Sequence, residues 1–469
     1  MAILARERGD FSERVAVAIV GGGACGLTAA TAAAAAGAET LVLEQDPRLA
    51  GSTAMSLGAA CAAASREHRR HGILDSTEQF YDDVMAKTQG RADPELAKLI
   101  AHESGPTIDW LTEHHDVELR LDFKWTSLGH SHPRLHMTPG RNGAELVALL
   151  DRAAQRAGAS SMTEARVVDL CVDRQGTISG VGLERPDASR EWLGVEALVL
   201  ASCGFGGNPR LISEHIPQMA NGHYFGHEGN HGDAVIWGKA LDAALADMTA
   251  YQGLGTLADP QALVVPHPLL LEGGWMVNQR GERFTHENDN ISGLCVPVNK
   301  QPDSRAWVIF DETRHQTCLQ HSAEQRELSA IGAIRRGATL AELAEKCGLP
   351  PGALQREAAA IDACRDQGQA DRFNRRFDDI APLAPEFCAL RVTGALFHTQ
   401  GGLVVDAQAR VQRRTGGVFS NLLAGGGAAR GISGPDVTGY LPGAGLCMAI
   451  TLGRIAGQSA ARIANAQSP

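Results

Sequence analysis

Six consecutive residues, Gly21-Gly22-Gly23-Ala24-Cys25-Gly26, carry the G-x-G-x-x-G spacing that closes a backbone turn around a pyrophosphate. Gly21 permits the tight turn, Gly23 lets a phosphate approach the backbone, and Gly26 lets the next helix pack on its sheet. Ala24 and Cys25 open that helix, whose free N–H groups and positive dipole face the phosphates. The spacing is weak evidence alone, so its context decides. A buried-strand run (VAVAIV, 15–20) precedes it and an Ala-rich helical run (23–36) follows. A second strand (TLVLE, 40–44) then ends on Glu44, roughly 20 residues beyond the turn, where a carboxylate meets a ribose hydroxyl. This is a βαβ unit for a dinucleotide. Past Glu44 and Gln45, the stretch LAGSTAMSLGAA (49–60) offers Gly51, Ser52, Thr53, Ser56, Leu57, Gly58 and Ala59. Small residues and hydroxyls there suit a second phosphate and a ribityl chain, which points to FAD rather than NAD.

Other reactive groups are sparse. The chain has four tyrosines (Tyr81, Tyr224, Tyr251, Tyr440), so phenol chemistry has few candidates. His130, His132, Arg134 and His136 cluster in one segment, a set that by ligand type could hold a metal. Ten cysteines are scattered without a C-x-x-C pair, which encodes no zinc ribbon and no c-type haem. Trp125 and Trp275 are candidates to wall an apolar pocket, or simply to fill a core.

The elements that must position these groups are those of an α/β protein. Amphipathic helices are expected over 93–115 and 142–157, and strands alternate with turns over 164–200. Two helices follow over 338–366, then strands over 403–413 and 418–424 and a last helix over about 444–465. A Gly-rich ligand loop recurs just before that helix, far from the first, so one domain is inserted into another. At 469 residues the chain needs two or three cores. A net charge of −11 without a basic block argues against nucleic acid or an anionic membrane as partner. No apolar run reaches the roughly 18 residues of a membrane span, and the charged start (Arg6 to Arg14) lacks a signal-peptide core, so a cytoplasmic location is expected.

Taken in order, VGGGACGLTAA (20–30), AGSTAMSLGAA (50–60), LASCGFGGNP (200–209), HGDA (231–234), MVNQRGERFTHE (276–287), HTQGGLVVD (398–406), LLAGGGAARG (422–431) and GYLPGAGLCMAITLGRIAG (439–457) make the chain resemble the fumarate reductase/succinate dehydrogenase flavoprotein family over nearly its whole length. The resemblance implies a discontinuous Rossmann-like FAD domain, 1–252 and 398–469, with an inserted α+β cap domain, 253–397, and a substrate held between cap and flavin. It also implies that Val167, Ala201, Ser202, Cys203, Gly204, Asp233, Gly426, Gly427, Gly443, Ala444, Gly445 and Leu446 face the cofactor. The family's covalent attachment histidine is replaced in the region of Ser52-Thr53, so FAD is expected to be noncovalent.

The departures speak to substrate. Where the family carries a proton-donating Arg, a substrate-carboxylate Arg and a hinge His, this chain has Ile291, Tyr440 and Leu254, and only His398 survives. That leaves too little positive charge for a dicarboxylate. Tyr440 ahead of Leu441-Pro442-Gly443 is similar to the 3-ketosteroid and cyclic-ketone dehydrogenase branch, in which a phenol and a backbone N–H polarise a ketone. The expected activity is hydride transfer at a CH–CH bond beside a carbonyl. Tyr440, His398, Tyr251, Arg134, Gly443 and Gly445 are the candidate catalytic residues, and Arg134 would meet a substrate carboxylate from a loop lining the cleft. Two rivals stand beside this: a fumarate-like reductase of an unsaturated acid, and a flavoprotein subunit that relays electrons to a partner. The substrate is a small molecule, and the external electron donor or acceptor is left open.

Overall fold

A computed structural model describes residues 2–123 and 126–466, so Trp125 lies outside the described residues. The chain folds as two compact units, one made of Met1–Ile216, Gly226–Tyr251 and His398–Pro469, the other of Pro217–Phe225 and Gln252–Phe397.

The first unit is built on a nine-stranded sheet. Strand Glu13–Val20 lies between two parallel partners, Thr40–Leu43 and Arg190–Leu200. The Ala-rich helix Ala24–Ala35 makes the crossover to Thr40–Leu43, and its first ten residues are all buried. Strand Arg190–Leu200 divides its pairing: its first half runs antiparallel to Ile178–Glu184, and its last three residues run parallel to Val418–Ala424. The sheet thereby joins sequence from both ends of the chain at the turn where Gly21 sits. The last helix, Ala444–Asn465, packs on the first, and small residues let the backbones meet: a Cβ on Gly457 would stand 2.2 Å from the Ala29 carbonyl oxygen. A separate three-stranded sheet joins Ala60–Cys61 and Arg120–Leu121 to Leu135–Met137. No helix among the described residues is long and apolar enough to cross a membrane.

The second unit has a six-stranded sheet around the long strand Phe387–Thr399, which pairs antiparallel with Arg305–Asp311. Alternation along these strands feeds two cores, as side chains on a pleated strand must. Val308, Phe310, Leu390 and Val392 enter one, while Trp307, Ile309, Phe387 and Ala389 enter the other. Trp275 belongs to the second core, so packing rather than a pocket accounts for it. Leu254 and Ile291 join Phe225 and Phe397 in a smaller apolar cluster. One boundary is corrected: Pro217–Phe225, expected in the cofactor domain, packs with the second unit. The reason is a two-residue parallel pairing of His223–Tyr224 with Ala395–Leu396.

Candidate functional site

Strand Glu13–Val20 ends at Gly21, whose φ of +106° only glycine adopts freely. A Cβ there would sit 2.6 Å from the Ala201 carbonyl oxygen, and one on Gly26 would sit 1.9 Å from that of Gly21. The turn is thus clamped between two strand ends and the first helix. Glu44 at the end of the neighbouring strand ties it from the side. Its carboxylate accepts hydrogen bonds from the Gly22 N–H (2.7 Å) and the Asp46 N–H (3.0 Å). The Ala24 N–H at the helix start donates to the Thr53 hydroxyl (2.9 Å).

Around this turn opens a cleft walled by both ends of the chain's first unit. Of the expected cofactor residues, Gly21, Gly23, Ala24, Cys25, Glu44, Gln45, Gly51, Ser52, Thr53, Val167, Ala201, Ser202, Cys203, Asp233, Gly426 and Gly427 line it. Three buried polar atoms on its wall, Ser202 Oγ, Asp233 Oδ1 and Arg166 Nε, have no hydrogen-bond partner within the protein. Buried polar atoms are normally satisfied, so an orphaned hydroxyl, carboxylate oxygen and guanidinium N–H beside a helix N-terminus fit a polar, phosphate-bearing ligand such as FAD. Burial drives the Cys25 thiol up to about 12 and raises that of Cys203 as well, so both remain protonated and uncharged at neutral pH.

The remaining expected cofactor residues do not line this cleft. Gly26 packs against the turn itself. Ser56, Leu57, Gly58 and Ala59 leave it in a turn fastened by Ser56, whose hydroxyl donates to the Thr53 carbonyl and accepts from the Gly58 N–H, and Leu57 is 60% exposed. Gly204 backs onto Thr399. Gly443, Ala444, Gly445 and Leu446 stand at the start of the last helix, and it is Ala449, further along, that reaches the cleft. Sequence reading missed Asp46, Arg166, His227, Gly229 and Asn230 on the cleft wall. Asn230 donates to the Ser52 hydroxyl (2.7 Å), and His227 Nε2 lies 2.8 Å from Asp46 Oδ2. For His227, Gly229 and Asn230 the signal was adjacent: they immediately precede His231-Gly232-Asp233-Ala234, where the motif begins.

A second constellation forms where Tyr440, His398 and Gly445 meet. The Tyr440 and His398 rings stand edge to face at 5.6 Å between centroids. A Cβ on Gly445 would fall 2.9 Å from His398 Cε1 and 3.6 Å from the Tyr440 hydroxyl oxygen, so no larger residue fits. Gln400 orients the imidazole: its Nε2 donates to His398 Nδ1 at 2.8 Å while its Oε1 accepts from the Ser433 hydroxyl at 3.2 Å. With Nδ1 accepting, the ring proton sits on Nε2. Burial pulls the imidazole down to about 4, with the Thr399 carbonyl opposing, so His398 is neutral at pH 7. Burial likewise pushes the Tyr440 phenol well above its ordinary value, only partly offset by the Gly445 N–H. The pair is therefore two uncharged donors, suited to polarise a carbonyl oxygen and lacking the charge to hold a carboxylate.

Two expected catalytic residues are placed elsewhere. Tyr251 is completely buried at the head of strand Tyr251–Ala258. Arg134 is not available to a substrate carboxylate. Its side chain is fully buried, forked onto Asp75 through Nε (2.9 Å) and Nη2 (2.7 Å), and bonded to Asp83 through Nη1. No group of three or more His, Cys, Asp or Glu poised for a metal occurs among the described residues.

Known proteins share this fold. A probable fumarate reductase of Shewanella frigidimarina is 26% identical over 453 residues, spanning 96% of this chain and 75% of the relative. A 4-oxocyclohexanecarboxylate 2-dehydrogenase of Sinomonas cyclohexanicum is 28% identical over 551 aligned positions, spanning 95% of this chain and 92% of the relative. Among solved structures, the open conformation of a flavocytochrome c3 fumarate reductase superposes with a TM-score of 0.83 at 25% identity, over 97% of this chain and 79% of that one. The model of the FAD binding domain matches residues 16–448, and on that match the chain belongs to the FAD binding domain family, with FAD as its cofactor.

Proposed function

We propose that this FAD-dependent oxidoreductase transfers hydride at a CH–CH bond beside a carbonyl, with a cyclic ketone or keto acid as substrate. The observation that carries the reading is the neutral donor pair of Tyr440 and His398 closed over Gly445. Bound FAD supplies the hydride acceptor, or the donor in the reverse direction. The protein's part is to hold the substrate oxygen. As the α proton leaves for a base and hydride leaves the β carbon, negative charge grows on that oxygen, and the two donors stabilise it. Similarity to a 4-oxocyclohexanecarboxylate 2-dehydrogenase supports the same class. An anaerobic screen reads this directly. Flavin absorbance should bleach with a cyclohexanone-type ketone and hardly at all with succinate, and the reduced protein should be reoxidised by the matching enone faster than by fumarate. Comparable rates with succinate and fumarate would point to the acid reductase, and no bleaching across the screen to an electron-relay subunit.

The cofactor is held without a covalent bond in this reading, with Glu44 on the adenosine ribose. Glu44→Ala should weaken FAD binding by at least the roughly 1.5–3 kcal/mol of one hydrogen bond to a charged group. It should also lower the thermal stability of the apo-protein, because the same carboxylate holds the Gly22 and Asp46 N–H groups. Fluorescence titration of the acid-extracted protein measures the first effect and a melting curve without flavin the second. An unchanged Kd would show that the ribose lies elsewhere.

A further inference from the structure

The segment Ser127–Met137 lies along the Tyr440–Gly443 loop and touches it repeatedly. His130 Nε2 is 3.0 Å from the Pro442 carbonyl oxygen, and since a carbonyl only accepts, the ring proton is on Nε2. Nδ1 is left as an acceptor and faces Arg134 Nη1 at 3.4 Å. Gly129 and Gly443 complete the fit, for a Cβ on either would come within 2.7 Å of Leu441 Cδ2 or Leu135 Cδ2, respectively. Behind His130, Arg134 is locked by Asp75 and Asp83, its guanidinium 4.9 Å from the centre of the Phe80 ring. Asp83 also accepts from the Ser131 N–H (2.7 Å) and hydroxyl (2.9 Å), which fixes the turn carrying His130.

We propose that His130 is a positioning residue: backed by Arg134 and its two aspartates, it holds the Pro442 carbonyl and so fixes where the Tyr440 hydroxyl meets the substrate oxygen. This gives Arg134 a role that needs no exposed guanidinium, two contacts removed from the substrate. A long side-chain chain ending on a backbone carbonyl suits such a task, because the loop has no side chain of its own at Pro442 or Gly443 that could anchor it. Burial holds the His130 imidazole down to about 4, so its donor and acceptor nitrogens keep their roles across the physiological range.

The inference rests on the reading of Tyr440, and the test separates the two. Anaerobic stopped-flow flavin reduction is measured with the best ketone of the screen in the holoenzyme. His130→Leu should slow it about 10–10²-fold, the scale of a misplacement near 1 Å, with KM moving far less than kcat. His130→Gln, whose amide N–H reaches the place of Nε2, should restore most of the rate, whereas His130→Asn, too short to reach, should not. That Gln–Asn comparison stands even if the apolar variant folds poorly, and a purely structural role would not distinguish the two. In a Tyr440→Phe background, His130→Leu should cost little more, because both changes remove the same contact to substrate. A wild-type rate for His130→Leu, equal rates for the Gln and Asn variants, or losses that multiply in the double variant would each overturn the positioning role. A wild-type rate for Tyr440→Phe alone would instead overturn the reading on which it rests.

Discussion

Tyr440→Phe should reduce its flavin about 10²–10³-fold more slowly than the wild type while keeping full FAD occupancy and an unchanged melting temperature. The ring is retained, and Tyr440 is only 9% exposed, so packing against His398 survives. What is lost is one preorganised hydroxyl whose proton burial holds firmly in place. His398→Ala is the needed comparison. Its Nε2–H is the other donor, set by the Gln400 amide on Nδ1. If Tyr440→Phe reduces flavin at the wild-type rate while His398→Ala does not, the phenol is a packing group and the imidazole alone holds the oxygen. Neither group titrates between pH 5 and 9 on the shifts above, so the rate of the Tyr440-dependent step should be flat there with respect to these two residues.

Glu287→Ala should destabilise the second unit by about 3–5 kcal/mol, the usual cost of removing one partner from a buried ion pair. Glu287 is fully buried between Arg283, which grips it through Nε and Nη2 at 2.9 Å each, and Arg375, whose Nη1 lies at 2.8 Å. Its carboxylate also accepts the Met276 N–H, pinning strand Trp275–Val277. Burial alone would raise this carboxyl, yet the two guanidiniums more than compensate and hold it below the ordinary carboxylate value. A depressed folded value stabilises above the unfolded one, so this contribution is complete at neutral pH and is lost as pH falls below about 4 toward the folded value. Urea unfolding at pH 7 should show the full difference between wild type and variant, and the gap should narrow at pH 3. A difference under about 1 kcal/mol at pH 7 would mean that the cluster relaxes or admits water.

How legible all this was in the sequence depended on how local each cause is. The G-x-G-x-x-G turn and Glu44 were readable because strand, turn, helix and carboxylate follow one another within one βαβ unit. The last helix was placed over 444–465 and is found at Ala444–Asn465, since an unbroken apolar face after a Gly-rich loop admits little else. Arg134 misled for the opposite reason. Its partners Asp75 and Asp83 lie 59 and 51 residues away, and nothing near Arg134 in sequence announces them. Beside three histidines it looked like an exposed anion receptor. Pro217–Phe225 was misassigned because two residues of long-range strand pairing decide its unit. His227 and Asn230 fell one step outside a recognised motif, in a loop whose conformation no periodicity encodes.

The packing of the first helix on the last has a consequence for how the protein is made. The phosphate turn leaves the ribosome early, but Gly426, Gly427 and Ala449, which wall the same cleft, emerge only after the whole inserted unit has been synthesised. Until then the buried face of helix Ala24–Ala35 lacks the helix that covers it, and its apolar surface is open to solvent or to a chaperone. The cleft is therefore complete only when both distant segments that wall it are in place.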